Sequence, residues 1–135
     1  MPNWIAEILL IGASNPVNIL VLLVGLLHLY FMVLEMFLWQ TPRGLKTFGN
    51  TPERARDTAT LAANQGLYNG FLGAGLIWSV FYPWGLSAHH IKTYLLSCVI
   101  IAGIYGARTV SRKIFYVQAL PAIITLALLW IFRPA

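Results

Sequence analysis

The chain has 135 residues, 59% of them hydrophobic and 10% charged, with a formal net charge of +5. Soluble domains carry about 25% charged residues, so a water-soluble fold would lack the polar side chains to cover its surface. The composition predicts a single integral membrane domain over 1–135. The Lys and Arg residues sit beside apolar runs rather than on one exposed basic face, which excludes nucleic acid as a partner.

Residues 1–15 contain "WIAEILLIG", too short to cross a bilayer and suited to an interfacial helix anchored by Trp4. Glu7 lies within that stretch and no Lys or Arg precedes it, which argues against a cleavable signal. A helix needs about 20 apolar residues to cross the hydrocarbon core. Four stretches qualify, at about 17–39, 62–82, 91–107 and 114–132. The apolar runs are continuous, so a β-barrel is excluded. The fold expected is all-α, a bundle of four transmembrane helices with a short N-terminal interfacial helix.

The first span opens at "SNP", where Ser14 or Asn15 can cap and Pro16 suits a first helical position. The loop after it contains "NTPERARD", which reads as a helix start. Thr51 can cap, Pro52 fits the first position, and Glu53 suits the positive end of the helix dipole. The second helix is therefore expected to begin about ten residues before its membrane entry, with "ERARD" as a solvated, charged turn.

Loop charges set the orientation. The first loop holds Arg43, Lys46, Arg54 and Arg56, and the third turn holds Arg108, Arg112 and Lys113. The opposite side offers only Lys92 and Arg133, a bias of seven against two. The first and third loops are expected in the cytoplasm and both termini outside.

Polar side chains then fall at one depth. Glu35 is expected roughly 6 Å inside the cytoplasmic end of the first span, at about 1.5 Å of rise per residue. His28 precedes it by seven residues on the same helix face, with Met32 between. A charge in lipid is costly, so Glu35 is expected to face the bundle interior. The second span contributes Asn64, Gln65, Tyr68 and Asn69, the third Tyr105 and Arg108, and the fourth Gln118. Pro121 cannot donate to the carbonyl of Val117, which is expected to leave an acceptor beside Gln118. Polar residues in bundles also act as interhelical glue, but glue has no need to gather at one level. The outer halves of the spans read as nearly bare of such groups. The layer predicts a cytoplasm-facing polar pocket, with Glu35 and Arg108 as its charge pair.

Other patterns read as packing. Ala62, Gly66, Gly70 and Ala74 recur every four residues, and Ala102 and Gly106 do the same on the third span with Gly103 beside them. Small residues at this spacing let backbones approach closely, so spans two and three, or two protomers, are expected to meet there. Trp39, Trp78, Tyr82, Trp84 and Trp130 lie near span ends, as interfacial belts do. His89 and His90 are adjacent and point apart on a helix, so no metal site is assigned. The single cysteine, Cys98, sits within an apolar run and reads as a small buried side chain.

The strings "HLYFMVLEMFLW", "NQGLYNGFLGAGLIW", "CVIIAGIYGA" and "QALPA" resemble the small bacterial membrane proteins grouped as domain of unknown function 1304, over about residues 18–130. That resemblance implies a four-helix protein of the bacterial inner membrane. A weaker architectural likeness is to the MAPEG superfamily of glutathione-using membrane enzymes, which form trimers and bind glutathione on the cytoplasmic side. Asn64 and Tyr68 match that family's second-helix pattern, whereas Thr60 and Leu67 stand where it carries Arg and Glu. Tyr105, Arg108 and Arg112 in "YGARTVSR" resemble its tyrosine close to arginines.

Three functional readings follow. The first is a protein that binds a small polar or anionic molecule in the pocket, as a proton-coupled carrier served by Glu35 and His28. Its few spans per chain imply a homo-oligomer, a dimer or trimer. The second is a glutathione-dependent enzyme in which Arg108 or Arg112 and Tyr105 activate a bound thiol. The third is a structural oligomeric subunit without a ligand site. No glycine-rich phosphate loop, CxxC or HExxH is present, so catalytic residues are not assigned.

Overall fold

A computed structural model describes residues 2–13 and 15–133. Among them there is no strand; the chain is all-helical. The helices are α1 (Asn3–Ala13), α2 (Val17–Met36), α3 (Pro42–Phe48), α4 (Pro52–Phe81), α5 (Gly85–Thr109) and α6 (Leu120–Ile131), with a π-helical segment Phe115–Ala119 leading into α6. By length and composition α2 and α5 can each cross a membrane, and 115–131 forms a shorter apolar helix. Helix α4 has 30 residues, but its first turns carry Glu53, Arg54, Arg56 and Asp57.

Two compact units divide the chain: Leu26–Ala74, and Met1–Gly25 with Gly75–Ala135. In the first of these, α2 stops at Met36, before the expected end near 39. The amides of Phe37 and Leu38 both bond to the Val33 carbonyl, at 3.0 and 3.2 Å, which closes the helix. The loop that follows holds a helix the sequence reading left out. Thr41 accepts a hydrogen bond from the Gly44 amide, Pro42 occupies the first turn of α3, and Gly49 ends it at φ 64°. "TPRG" is the same Thr-Pro start signal as "TPER", with glycine at the left-handed exit. Gly49 is that exit, whereas Gly44 is required by space: a Cβ there would overlap the carbonyl oxygen of Leu38. Trp39 packs on Phe48 with ring centroids 4.6 Å apart and donates to Thr58 Oγ at 3.2 Å. It thus braces the loop rather than lining the end of a span.

Helix α4 begins at Pro52 as expected, with Thr51 Oγ1 accepting from the Arg54 amide at 3.3 Å. Its Glu53–Arg56 ion pair is 3.8 Å long and exposed on both sides, so it contributes little to stability. At Gly66 and Gly70 the small-residue stripe on α4 meets α2. A Cβ on Gly66 would lie 2.8 Å from Met36 Cγ and 2.9 Å from Glu35 Cβ, and one on Gly70 would press on the Met32 sulfur.

In the other unit, Asn15 Oδ1 accepts from the Val17 amide at 2.9 Å at the start of α2; Ser14 lies outside the described residues. Helix α5 starts at Gly85, earlier than expected, after a three-residue connection that Pro83 interrupts. Gly75 of α4 lies against Leu95 of α5, so these two helices touch one residue past the stripe. The glycines of α5 face the segment that leads into α6: a Cβ on Gly103 would lie 2.8 Å from the Ala119 nitrogen, and one on Gly106 would lie 3.1 Å from Ile114. Just before Pro121 the ladder widens to a π turn, with the Leu120 amide bonded to the Phe115 carbonyl. The sequence predicts an unpaired Val117 carbonyl beside Gln118; the structure has a widened turn at that place. Val21, Val24, Leu76, Val80, Leu96 and Val99 are the apolar core of this unit.

Candidate functional site: a buried carboxylate held by two amides

Glu35 occupies the last turn of α2, where the helix dipole disfavours a negative charge. Its side chain is nevertheless 3% exposed. Burial is possible because α4 supplies two donors at the right level. Gln65 Nε2 donates to one carboxylate oxygen and Asn69 Nδ2 to the other, each at 2.7 Å. The amides are four residues apart, one helical turn, so they stack along α4 and meet both oxygens together. Hydrogen bonds to a charged group contribute about 1.5–3 kcal/mol each. Gly66 lies between the two amides in sequence, and its missing side chain lets α2 approach closely enough for the contact.

His28 is fully buried on the same helix, its ring edge-on to Phe31 with centroids 5.4 Å apart. Met32, between His28 and Glu35, places its sulfur on Gly70. The structure therefore brings together Glu35, Gln65 and Asn69, and buries His28 further along the same helix. It does not add Asn64 or Tyr68 to them: both are exposed, Tyr68 with its ring edge against Phe71. Tyr105 and Arg108 on α5 are also exposed, and Gln118 in the π segment is half-buried. Arg108, expected to pair with Glu35, takes part in no ion pair among the described residues.

Sequence reasoning missed a second set of buried polar groups. Asn18, Ser79, His89, Lys92 and Thr125 are all buried, in the unit made by the chain's two ends. The halves of the spans read as bare are therefore not bare. Two of these residues satisfy themselves locally, Ser79 Oγ donating to the Leu76 carbonyl at 2.6 Å and Thr125 Oγ1 to the Pro121 carbonyl at 2.7 Å. Lys92 had been counted as a loop charge because the third span was drawn from residue 91. The readable signal was the early start of α5: a helix from Gly85 places His89 and Lys92 three residues apart inside it.

Residues 22–130 match the family described as "Protein of unknown function (DUF1304)". The chain belongs to the DUF1304 family. Over 111 residues it is 37% identical to "Uncharacterized protein YpaA" of Lactococcus lactis subsp. lactis, an alignment that covers 80% of this chain and 91% of the relative. No solved structure matches. Glu35, Gln65, Asn69 and His28 all lie within the DUF1304 match, as do His89 and Lys92, whereas Asn18 lies just before it.

Proposed function

We propose that this DUF1304 protein is an integral membrane protein of the bacterial inner membrane whose four apolar helices cross the bilayer, with both termini outside. It binds a small polar molecule from the cytoplasmic side at Glu35, which serves as the proton-exchanging group. The observation that carries this reading is the burial of the Glu35 carboxylate with each oxygen bonded at 2.7 Å to an amide of α4. Ionisable groups within membrane helices are costly and mark ligand or proton pathways. The amide donors beside Glu35 are spent on the carboxylate, which favours a ligand that itself donates hydrogen bonds over an anion. Burial of Lys92 within α5 supports the orientation, since Arg133 is then the one basic residue left outside against seven on the cytoplasmic side. Few spans per chain favour a homo-oligomer, a dimer or trimer. The thiol-activating alternative draws on Tyr105, Arg108 and Arg112, all exposed, and no observation raises it above the binding reading.

A thermal-shift screen of small polar metabolites on the detergent-solubilised chain, run beside Glu35→Gln, tests this. At least one hydroxyl- or ammonium-bearing compound is expected to raise the unfolding midpoint of the natural chain and leave the variant unmoved. A screen without such a compound, or one in which the variant responds equally, overturns it.

A further inference from the structure

We propose that Lys92, His89 and Asn18 form an oxyanion-binding site, taking one carboxylate or phosphate group. The site is separate from Glu35 and does not rest on that reading. Lys92 is 7% exposed, and among the described residues its ammonium makes one hydrogen bond, to Asn18 Oδ1 at 2.7 Å. An ammonium has three N–H groups, so two are left to offer. His89, one turn earlier on α5, is equally buried, and its Nε2 has no hydrogen-bond partner among the described residues. The His89 ring packs edge-on against Trp130 at 4.7 Å between centroids, and the Arg133 guanidinium lies over the same indole at 5.4 Å. Arg133, His90 and Lys92 are close enough for their charges to act on His89.

These groups share one sign, and no acidic side chain pairs with them among the described residues. Glu7 is the one acidic residue in this unit, and it is exposed. The ion pair found among the described residues, Glu53–Arg56, lies in the other unit. Burying an ammonium without a counter-charge is strongly unfavourable. A bound anion removes the cost and uses the spare donors. The Asn18 carbonyl oxygen holds the ammonium in place, and the Lys92 and His89 N–H groups face one guest. On the proposed orientation the site belongs to the outer half of the protein. The oxyanion can come from solution or from the headgroup of an anionic lipid; the chemistry is the same.

The test uses the full chain in uncharged detergent at constant ionic strength in sodium chloride. Thermal unfolding is followed on adding sodium acetate, inorganic phosphate, or mixed micelles containing phosphatidylglycerol, with phosphatidylcholine micelles as control. The natural chain is expected to rise by a few degrees with at least one of these, and Lys92→Met to bind at least about tenfold more weakly. A response to acetate or phosphate assigns a free solute, and a response to phosphatidylglycerol alone assigns a lipid. If no addition separates the natural chain from Lys92→Met, the lysine is held as a neutral amine and the proposal fails. Should Lys92→Met not be recovered folded, His89→Phe, which keeps a ring on Trp130, carries the test; an unchanged response there overturns the proposal.

Discussion

The two units each bury a charge-bearing side chain, and they treat it differently. In one, the Glu35 carboxylate has both oxygens occupied by amides from the facing helix. In the other, the Lys92 ammonium has a single amide oxygen and a neighbouring histidine with a spare nitrogen. The first is a finished set of hydrogen bonds, and the second is an unfinished one. Buried polar networks stabilise when complete and cost stability when partial. The contrast therefore separates a carboxylate whose two oxygens each have a donor and keep lone pairs for a donating guest from an ammonium without a counter-charge.

The largest expected effect comes from emptying the finished set. Gln65→Leu with Asn69→Leu leaves the Glu35 carboxylate buried without a donor, and breaking a buried charge's partners costs about 3–5 kcal/mol. Adding Glu35→Leu to that double variant is expected to recover most of the loss, because an apolar set of similar volume replaces the whole polar one. Reversible unfolding in mixed detergent micelles measures both. A double variant as stable as the natural chain would mean that water or another group already serves the carboxylate, and the comparison would collapse.

Much of this was legible in the sequence. The all-helical class and the start of α4 at Thr51-Pro52 follow from apolar runs and capping chemistry, and the burial of Glu35 follows from the cost of leaving a carboxylate in an apolar helix. Gln65 and Asn69 share a face because they are four apart, and Glu35 must find donors because it cannot stay bare. What was not legible depends on which helix faces which. A stripe of small residues says that a backbone comes close, but not whose; Gly66 and Gly70 meet α2, while Gly103 meets Ala119. The sequence points to Arg108 as the charge partner of Glu35, and nothing in the spacing singles out Gln65 and Asn69 as the donors that reach its oxygens. Lys92 was lost through a boundary drawn six residues late, since Gly85 and not Ile91 opens α5.

A smaller effect, of opposite sign, is expected in the unfinished set. Lys92→Met, measured in chloride without added oxyanion, removes a buried ammonium and keeps the side chain's length. Such replacements are neutral or stabilising by about 1–4 kcal/mol. Asn18 then loses its charged donor, which sets the gain toward the low end of that range. A clear loss of stability instead would show that one amide oxygen suffices for the ammonium, and the two units would then differ in degree alone.

The smallest effects come from the glycines that admit α2 to the Glu35 site, and they sharpen the comparison by asking how closely the carboxylate is held. A methyl on Gly66 would meet Glu35 Cβ at 2.9 Å and Met36 Cγ at 2.8 Å, so α2 itself must yield. Overpacking of this kind costs about 1–3 kcal/mol, and here it also pushes the carboxylate away from Gln65 and Asn69. On Gly70 the same methyl meets the Met32 sulfur, the end of a flexible chain that can turn aside at small cost. Gly66→Ala is therefore expected to lower the unfolding midpoint and weaken any ligand response that depends on Glu35, whereas Gly70→Ala changes neither by much. Equal effects at the two positions would show that helix separation, and not the placement of the Glu35 side chain, sets the stability of this unit.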